Sequence, residues 1–334
     1  MNHISRRAIC RQAAGIAVLT LFAGPALAAF PSDKPIRMVV PYTPGGSIDT
    51  VGRLVAEELQ KQLGQSVVVD NKPGASGMIG SQDVARAHAD GYTLLFNASS
   101  QVYMPLVVNR KTYDAEKDFT AIAQVGYVPL AVVVSPAAPF KTLRELSAHA
   151  RANPKKLTWA TSGLGTTSHL TEEMINRELK LDMEIILYKG AVPQLTDVMG
   201  GHVSAAVSPL PGVTPFIKGG RLRPIAVTSG ARVASMPDVP TVAESGMPGF
   251  ELLSWYGLWG PANLPREIVD KLNAAVAKAV QSPHVKARFA DCRSRPHRTP
   301  PSSSAASSRK KSAVSARWSK RPISASIPES LLPP

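Results

Sequence analysis

PYTPGGSIDTVGR, residues Pro41–Arg53, directly follows the apolar run Ile36–Val40. An apolar run, a Pro/Gly turn and a helical pattern together predict a strand, a tight loop and a helix. The pair Gly45–Gly46 has no Cβ atoms, so its backbone can approach a bound group closely. We predict Ser47 as the N-cap and Asp49 in the first turn. Since a helix start offers unpaired N–H groups and a positive dipole end, the loop can form an anion cradle. A plain strand-to-helix turn is the alternative.

A second stretch repeats this arrangement. Leu157–Ala160 is a predicted strand, TSGLG (Thr161–Gly165) is a glycine-bearing loop, and Thr166–His169 opens a helix. If the two units lie in different lobes, their helix starts can face each other across a cleft. One carboxylate between them would then collect several N–H donors, and such charge-assisted bonds are worth roughly 1.5–3 kcal/mol each.

The start of the chain has the pattern of an export signal. Arg6, Arg7 and Arg11 form a basic region, Ala13–Leu21 is apolar, and Ala26–Ala28 is a small-residue cleavage site. We therefore expect residues 1–28 to be a signal peptide and the mature protein to lie in a bacterial periplasm. The general secretory route is the expectation, with twin-arginine export as the alternative.

The positive charge lies mostly outside the central part of the chain. The sequence has 38 basic and 24 acidic residues, a net charge of +14. Three arginines precede residue 30, and residues 292–334 hold nine basic residues against one acid, so residues 30–291 carry 26 basic and 23 acidic residues. Because this body is nearly neutral, nucleic acid is not an expected partner.

Residues 30–291 alternate short apolar runs with helical patterns. The predicted strands are Ile36–Val40, Ser66–Asp70, Tyr92–Phe96, Ala121–Gly126, Leu130–Val134, Leu157–Ala160, Glu184–Leu187, Val203–Val207, Pro224–Val227 and Leu252–Trp259. The predicted helices are Ile48–Leu63, Gly80–His88, Leu143–Arg151, Thr167–Leu179, Val192–Met199, Val213–Lys218 and Pro265–Gln281. The alternation predicts an α/β fold with parallel sheets, and such sheets bind ligands at the carboxyl ends of their strands.

The sequence offers little for metal or catalytic chemistry. Cys10 lies in the signal region, so Cys292 is the only cysteine left, and no Cys/His cluster has zinc spacing. No G-x-S-x-G motif occurs, and residues 163–168 lack the last glycine of G-x-G-x-x-G. We expect no cofactor, no metal and no enzyme activity. A hydrolase that uses His169 as a base in the Gly165–His169 segment is the remote alternative.

Several separated motifs occur in the order of one known family. They are PYTPGGSID, VVVDNKPGASGMIG (Val67–Gly80), DGYTLLFNASS (Asp90–Ser100), TSGLGTTSHLTEEM (Thr161–Met174), YKG (Tyr188–Gly190), MGGHVSAAV (Met199–Val207), GGRLRPIAVTS (Gly219–Ser229) and DVPTVAESGMPGFE (Asp238–Glu251). With these motifs the chain resembles the substrate-binding proteins of tripartite tricarboxylate transporters, the Bug receptors, over about residues 30–291.

The resemblance implies a type II periplasmic-binding-protein fold, in which two α/β lobes close on a ligand like a Venus flytrap. By similarity, the first lobe is residues 30–129 plus 230–291 and the second is residues 130–229, with hinge crossings near Leu130 and Ser229. The implied function is capture of a small carboxylate for membrane permease subunits, by a protein expected to be a monomer. An ABC-type receptor or ligand sensor of the same fold is the alternative, which differs in its membrane partner.

The family grips its ligand with two pincer loops, which match residues 42–49 and 162–168. The implied pincer residues are Tyr42, Thr43, Pro44, Gly45, Gly46, Ser47 and Asp49 in the first, and Ser162, Gly165, Thr166, Thr167 and Ser168 in the second. The implied secondary contacts are Gly74, Ala75, Gly77, Asn97, Ser99, Tyr188 and Ser208. Each secondary residue has a structural alternative: Asn97 could cap a turn, Tyr188 could be packing, and Ser208 could be a loop residue.

The chain departs from the family pattern at two places. Ser204 stands where the family usually has Asp, which either alters ligand preference or has no effect. The family continues after Asp291 with a strand and an acidic terminal helix, whereas residues 292–334 hold 12 Ser, 7 Pro and one acid. Such a composition predicts disorder. We hypothesise a reading-frame change near Asp291, with a genuine basic appendage as the alternative.

Overall fold

A computed structural model describes residues 30–32, 34–107 and 112–289. The predicted signal peptide and the predicted disordered tail lie outside the described residues. Within the described ranges, the chain forms two five-stranded sheets flanked by helices. None of the helices in these ranges has both the length and the apolar character needed to cross a membrane.

Strands and helices alternate along the described chain. The strands are β1 (Ile36–Val40), β2 (Val67–Asn71), β3 (Thr93–Ala98), β4 (Phe119–Val128), β5 (Leu130–Val134), β6 (Thr158–Thr161), β7 (Glu184–Leu187), β8 (Ala205–Pro209), β9 (Arg223–Val227) and β10 (Ser254–Pro261). The helices are α1 (Ser47–Leu63), α2 (Met78–Ala85), α3 (Ser100–Val107), α4 (Leu143–Ala152), α5 (Thr167–Glu178), α6 (Ala191–Met199), α7 (Leu210–Lys218), α8 (Arg266–Ala279) and α9 (Pro283–Arg288). A short 3₁₀ turn spans Ala75–Gly77.

Each sheet is the centre of one lobe. The first has the strand order β2-β1-β3-β10-β4, and the second has the order β7-β6-β8-β5-β9. The predicted two-lobe α/β fold is confirmed. Helices α1 and α8 cover one face of the first sheet, where Val55, Phe96 and Leu272 are fully or almost fully buried. Burying apolar surface of this kind contributes roughly 25 cal/mol per Å².

The prediction that the sheets are parallel is wrong in one respect, because each sheet contains one reversed strand. β10 is antiparallel to β3 and β4, and β5 is antiparallel to β8 and β9. The reason is the path of the chain between the lobes. β4 ends at the cleft and continues through Pro129 into β5, so β5 starts at the cleft edge and runs away from it. β10 likewise starts at the cleft after the chain returns.

The segment between β9 and β10 packs on the second sheet. Val242, Met247 and Phe250 are buried in the same core as Leu130 and Trp159. The sequence prediction gave the chain from residue 230 onward to the first lobe. The packing differs because the segment first folds back along β9, where Thr241 bridges Val227, before it returns to the first sheet.

Helix α3 was absent from the sequence prediction. It is only eight residues long, and it contains Pro105, which has no backbone N–H to donate. Its sequence therefore lacks a clear helical pattern. Other boundaries shift by a few residues; for example, α2 begins at Met78 and α7 begins at Leu210.

Candidate functional site

The first pincer loop connects β1 to α1. Gly45 has φ +83°, which turns the chain sharply, and Gly46 is the N-cap with an extended backbone. The prediction of Ser47 as the N-cap is therefore wrong by one residue. Ser47 is the first helical residue, and its hydroxyl hydrogen-bonds the hydroxyl of Tyr256 on β10.

Asp49 fixes the shape of this loop. Its carboxylate accepts hydrogen bonds from the Gly45 N–H at 2.9 Å, from Asn71 Nδ2 at 2.8 Å and from Arg53 Nε at 3.1 Å. Burial acts to raise the pKa of Asp49, but the hydrogen bonds from Arg53, Gly45 and Asn71 outweigh it and hold the pKa below its usual value. The Asp49 carboxylate therefore stays ionised and accepts the Gly45 N–H, which is then not available to a ligand.

The second pincer loop connects β6 to α5 in the other lobe. Thr166 is the N-cap of the helix that the sequence predicts from Thr167: its Oγ1 accepts from the His169 N–H at 3.2 Å and donates to the Gly163 carbonyl at 2.8 Å. Gly165 has φ +67°, and a Cβ there would lie 2.8 Å from the sulfur of Met104 in the first lobe. Only glycine fits this turn and this interlobe contact.

The two helix starts meet at one cavity between the lobes, with a volume of about 50 Å³. It is lined by Tyr42, Thr43, Gly46, Ser47, Ile48, Ala98, Ser100, Ser162, Thr166, Thr167, Ser168, Ala191, Pro209, Ser254 and Tyr256. Eight of the predicted site residues are in this lining: Tyr42, Thr43, Gly46, Ser47, Ser162, Thr166, Thr167 and Ser168. The space suits a few water molecules or a small organic group.

The cavity lining contains hydroxyl groups and apolar side chains and no charged residue. The first N–H groups of an α-helix have no intrahelical partner, so those of Ser47 and Ile48 in one lobe and Thr167 and Ser168 in the other are available as donors. Thr43 Oγ1 is buried without a hydrogen-bond partner among the described residues. With these donors, the lining can bind an anion without a cationic side chain.

Hydroxyl groups also join the two lobes behind the cavity. Ser99 Oγ lies 2.7 Å from Thr167 Oγ1 and 3.3 Å from Ser254 Oγ. Gly212 on α7 packs so closely on the first pincer that a Cβ there would lie 2.8 Å from Ser47 Cβ. The lobes are therefore closed on each other in this structure.

Several predicted site residues lie outside the cavity lining. Pro44 and Gly45 are exposed, and a Cβ on Gly45 would lie 3.3 Å from a methyl group of Val192 in the second lobe. Asn97 is buried, and its Oδ1 accepts from the Ala98 N–H at 2.7 Å while its Nδ2 donates to Gln101 Oε1 at 2.9 Å. These contacts match the structural alternative, in which Asn97 caps a turn.

The remaining predicted secondary contacts also lie outside the cavity lining. The Tyr188 hydroxyl donates to Asp197 Oδ2 at 2.6 Å, and burial together with this carboxylate raises the pKa of Tyr188 to about 12. Ser208 is buried within β8. In the turn of Gly74, Ala75 and Gly77, a Cβ on Gly77 would lie 3.1 Å from the Tyr42 hydroxyl and one on Gly74 would lie 2.5 Å from Ile79 Cδ1.

Sequence reasoning missed seven lining residues. They are Ile48, Ala98, Ser100, Ala191, Pro209, Ser254 and Tyr256. Ala98, Ser100 and Pro209 follow the predicted strands Tyr92–Phe96 and Val203–Val207 by two to four residues, which was the available signal. Ser254 and Tyr256 could not be placed in this way, because they reach the cavity only through the reversed direction of β10.

The titratable and polar groups around the cavity bear on the alternative that the protein is a hydrolase with His169 as its base. His169 is buried behind the second loop and outside the cavity lining, and burial lowers its pKa to about 4. Ser204, the first departure from the family pattern, accepts a hydrogen bond from the Thr158 N–H at 3.2 Å, at the end of the second sheet away from the cleft. Among the described residues, no group of three or more His, Cys, Asp and Glu is placed to hold a metal ion.

Comparison with known proteins finds one matching family model and several similar sequences. The family model described as "Tripartite tricarboxylate transporter family receptor" matches residues 51–303, which begins after the first pincer loop and extends past residue 291. The protein BugT of Bordetella pertussis is 37% identical over 262 residues, covering 77% of this chain and 79% of BugT.

Solved structures agree with this match. An R. palustris protein solved with adipate superimposes with a TM-score of 0.82 at 32% identity, covering 87% of this chain and 97% of that protein. MatC from Rhodopseudomonas palustris with bound malate superimposes with a TM-score of 0.78 at 31% identity, covering 85% and 97%. The chain therefore belongs to the tripartite tricarboxylate transporter family of receptors.

Proposed function

We propose that this protein is a periplasmic receptor that closes its two lobes on a small carboxylate and passes it to the permease subunits of a tripartite tricarboxylate-type transporter. The carboxylate lies between the starts of α1 and α5, where main-chain N–H groups of both lobes donate to it. The ligand leaves chemically unchanged. Residues 1–28 direct export and are removed near Ala28.

One observation carries this proposal: two helix starts from different lobes converge on a closed cavity whose lining has no charged side chain. Each start carries unpaired N–H donors and a partial positive charge, so a carboxylate between them would accept hydrogen bonds from both starts and offset their charge. The two family members above were solved with adipate and with malate, which are both carboxylates. Family membership favours a tripartite permease over an ABC-type partner.

We also propose where the lobes hinge. The first crossing is Pro129, between β4 and β5, and the second lies near Leu252, just before β10. The Leu130 N–H donates to Thr228 Oγ1 at 2.9 Å, the Thr228 N–H to the Leu130 carbonyl at 2.9 Å, and the Leu252 N–H to the Thr228 carbonyl at 3.0 Å. These bonds hold the two crossings side by side.

Calorimetric titration of the exported protein with a panel of mono-, di- and tricarboxylates tests the proposal. Each mixture is analysed afterwards for chemical change. We expect at least one carboxylate to bind in a one-to-one complex and to be recovered unchanged. A panel in which every carboxylate fails, or in which a compound is turned over, would contradict the proposed function.

Gly46 offers a variant that tests the site itself. A Cβ at Gly46 would lie 3.7 Å from the Thr43 carbonyl oxygen and 3.8 Å from Ala191 Cβ, which is ordinary contact, and its φ of −73° suits any residue. Gly46→Ala should therefore fold and still bind. Gly46→Val should fold but lose binding by about 100-fold or more, because its methyl groups would occupy the anion position. Wild-type affinity in Gly46→Val would remove the first pincer from the proposal.

A further inference from the structure

The turn between β2 and α2 has an unusual backbone. Four successive residues have positive φ: Gly74 at +137°, Ala75 at +45°, Ser76 at +52° and Gly77 at +96°. Ala75 and Ser76 carry side chains, for which this region is unfavourable. A surrounding set of contacts must therefore hold the turn in this shape.

Ser76 makes those contacts in two directions. Its carbonyl oxygen accepts a hydrogen bond from the Tyr42 hydroxyl at 3.1 Å, and Tyr42 lines the cavity in the same lobe. Its side-chain Oγ accepts a hydrogen bond from the Leu164 N–H at 3.1 Å. Leu164 belongs to the second pincer loop, so this bond crosses from one lobe to the other.

The interlobe bond does not depend on a ligand atom. Neither Ser76 nor Leu164 is part of the cavity lining. When the lobes separate, the Ser76 hydroxyl and the Leu164 N–H both return to water, so the bond exists only in the closed state. A contact present in one of two states shifts the equilibrium toward that state, whatever the ligand is.

We propose that Ser76 is a latch: its hydroxyl stabilises the closed state through the Leu164 N–H and so slows ligand release without touching the ligand. This inference rests on the proposed function, because it concerns the rate at which the ligand leaves the proposed carboxylate site. Ser76 is thus a positioning residue, and the turn that presents it keeps its strained shape in order to place Oγ opposite the second pincer.

Stopped-flow or surface-based kinetics of Ser76→Ala tests the latch, with a carboxylate found in the titration above as the probe. The substitution removes the acceptor and leaves the Leu164 N–H unpaired when the lobes close. We expect dissociation to become about three- to ten-fold faster, the range of one net hydrogen bond, while the association rate stays within about two-fold.

Ser76→Thr is the matched control, because it separates the latch from a structural role. Threonine keeps the hydroxyl, but its branched Cβ is unfavourable at φ +52°, so the melting temperature should fall. We expect Ser76→Thr to be less stable than Ser76→Ala and yet to release ligand at nearly the wild-type rate. Dissociation in Ser76→Ala at the wild-type rate, or equal acceleration in both variants, would overturn the latch.

A second measurement tests the latch without any ligand. Val68 on β2 and Leu187 on β7 are exposed on the two lobes, so spin labels at these positions, with Cys292 replaced by Ser, report the interlobe distance. Ser76→Ala should increase the open population of the ligand-free protein relative to Ser76→Thr. Identical distance distributions would contradict the latch, and a failure of all carboxylates to bind would count against the proposed function alone.

Discussion

Glu172 is a carboxyl group that has no contact with solvent. It is 0% exposed, and its Oε1 accepts a hydrogen bond from the Val207 N–H at 3.1 Å. The Val207 carbonyl accepts from Gln194 Nε2 at 3.3 Å, so Glu172 and Gln194 fill the gap where β6 and β8 separate toward the cleft. Burial raises the pKa of Glu172 well above its usual value, although the hydrogen bond from the Val207 N–H lowers it in part.

This pKa shift predicts a pH dependence of stability. Because the folded pKa lies above the unfolded value of about 4.3, the folded protein keeps a proton that the unfolded chain has lost. The free energy of unfolding should therefore fall as the pH rises from that value through the folded pKa. Glu172→Gln keeps an acceptor for Val207 and has no proton to lose, so its free energy of unfolding should fall less steeply over this range, by up to ~1.4 kcal/mol per pH unit.

Urea unfolding between pH 5 and 9 measures this difference. The other shifted groups, among them Glu173 with a raised pKa and His169 with a pKa lowered to about 4, are present in both proteins, so their contributions largely cancel in the comparison. Parallel pH profiles for the wild type and Glu172→Gln would show that Glu172 is ionised in the folded protein.

At the scale of the element, the N-cap of α5 links local structure to the site. Thr166→Ala removes the acceptor for the His169 N–H and should lower the free energy of unfolding by ~1 kcal/mol. It should also weaken carboxylate binding, since the start of α5 would fray at the second pincer. The measurements are urea unfolding and calorimetry.

Helix α4 provides a matched control for this variant. Thr142 caps α4 in the same way, with Oγ1 accepting from the Glu145 N–H at 3.2 Å, and neither residue lines the cavity. Thr142→Ala should cost similar stability and leave affinity unchanged. If both variants lost affinity equally, the effect would come from general destabilisation of the second lobe.

The strand–loop–helix elements at both pincers were predictable because their signals are local. The apolar run, the glycine turn and the capping hydroxyl of Thr166 all lie within a few residues. The reversed strands β5 and β10 were not predictable, since strand direction depends on where the chain crosses between lobes. The role of Asp49 in shaping its own loop was also missed, because it depends on Asn71 in another strand.

At the scale of the molecule, function depends on how closely the lobes approach. Gly212 on α7 lies against Ser47, where a Cβ would come within 3.2 Å of the Ser47 backbone nitrogen. Gly212→Val should therefore obstruct closure while the open protein accommodates it. We expect affinity to fall by more than about ten-fold and the radius of gyration with ligand to stay at its ligand-free value.

Small-angle scattering with and without ligand measures this effect. Lys218→Val, at the exposed far end of the same helix, is the control and should close normally. If the Gly212→Val protein contracted with ligand as the wild type does, the prediction would be wrong, because α7 would have shifted enough to let the lobes close.

The central claim is that main-chain N–H groups at two opposed helix starts hold the carboxylate. The most direct measurement is the amide ¹H–¹⁵N NMR spectrum of the protein during titration with a carboxylate that binds. We predict large downfield proton shifts at Ser47, Ile48, Thr167 and Ser168, the free donors of the two starts. A ligand that binds while these four amides stay unshifted would contradict the account.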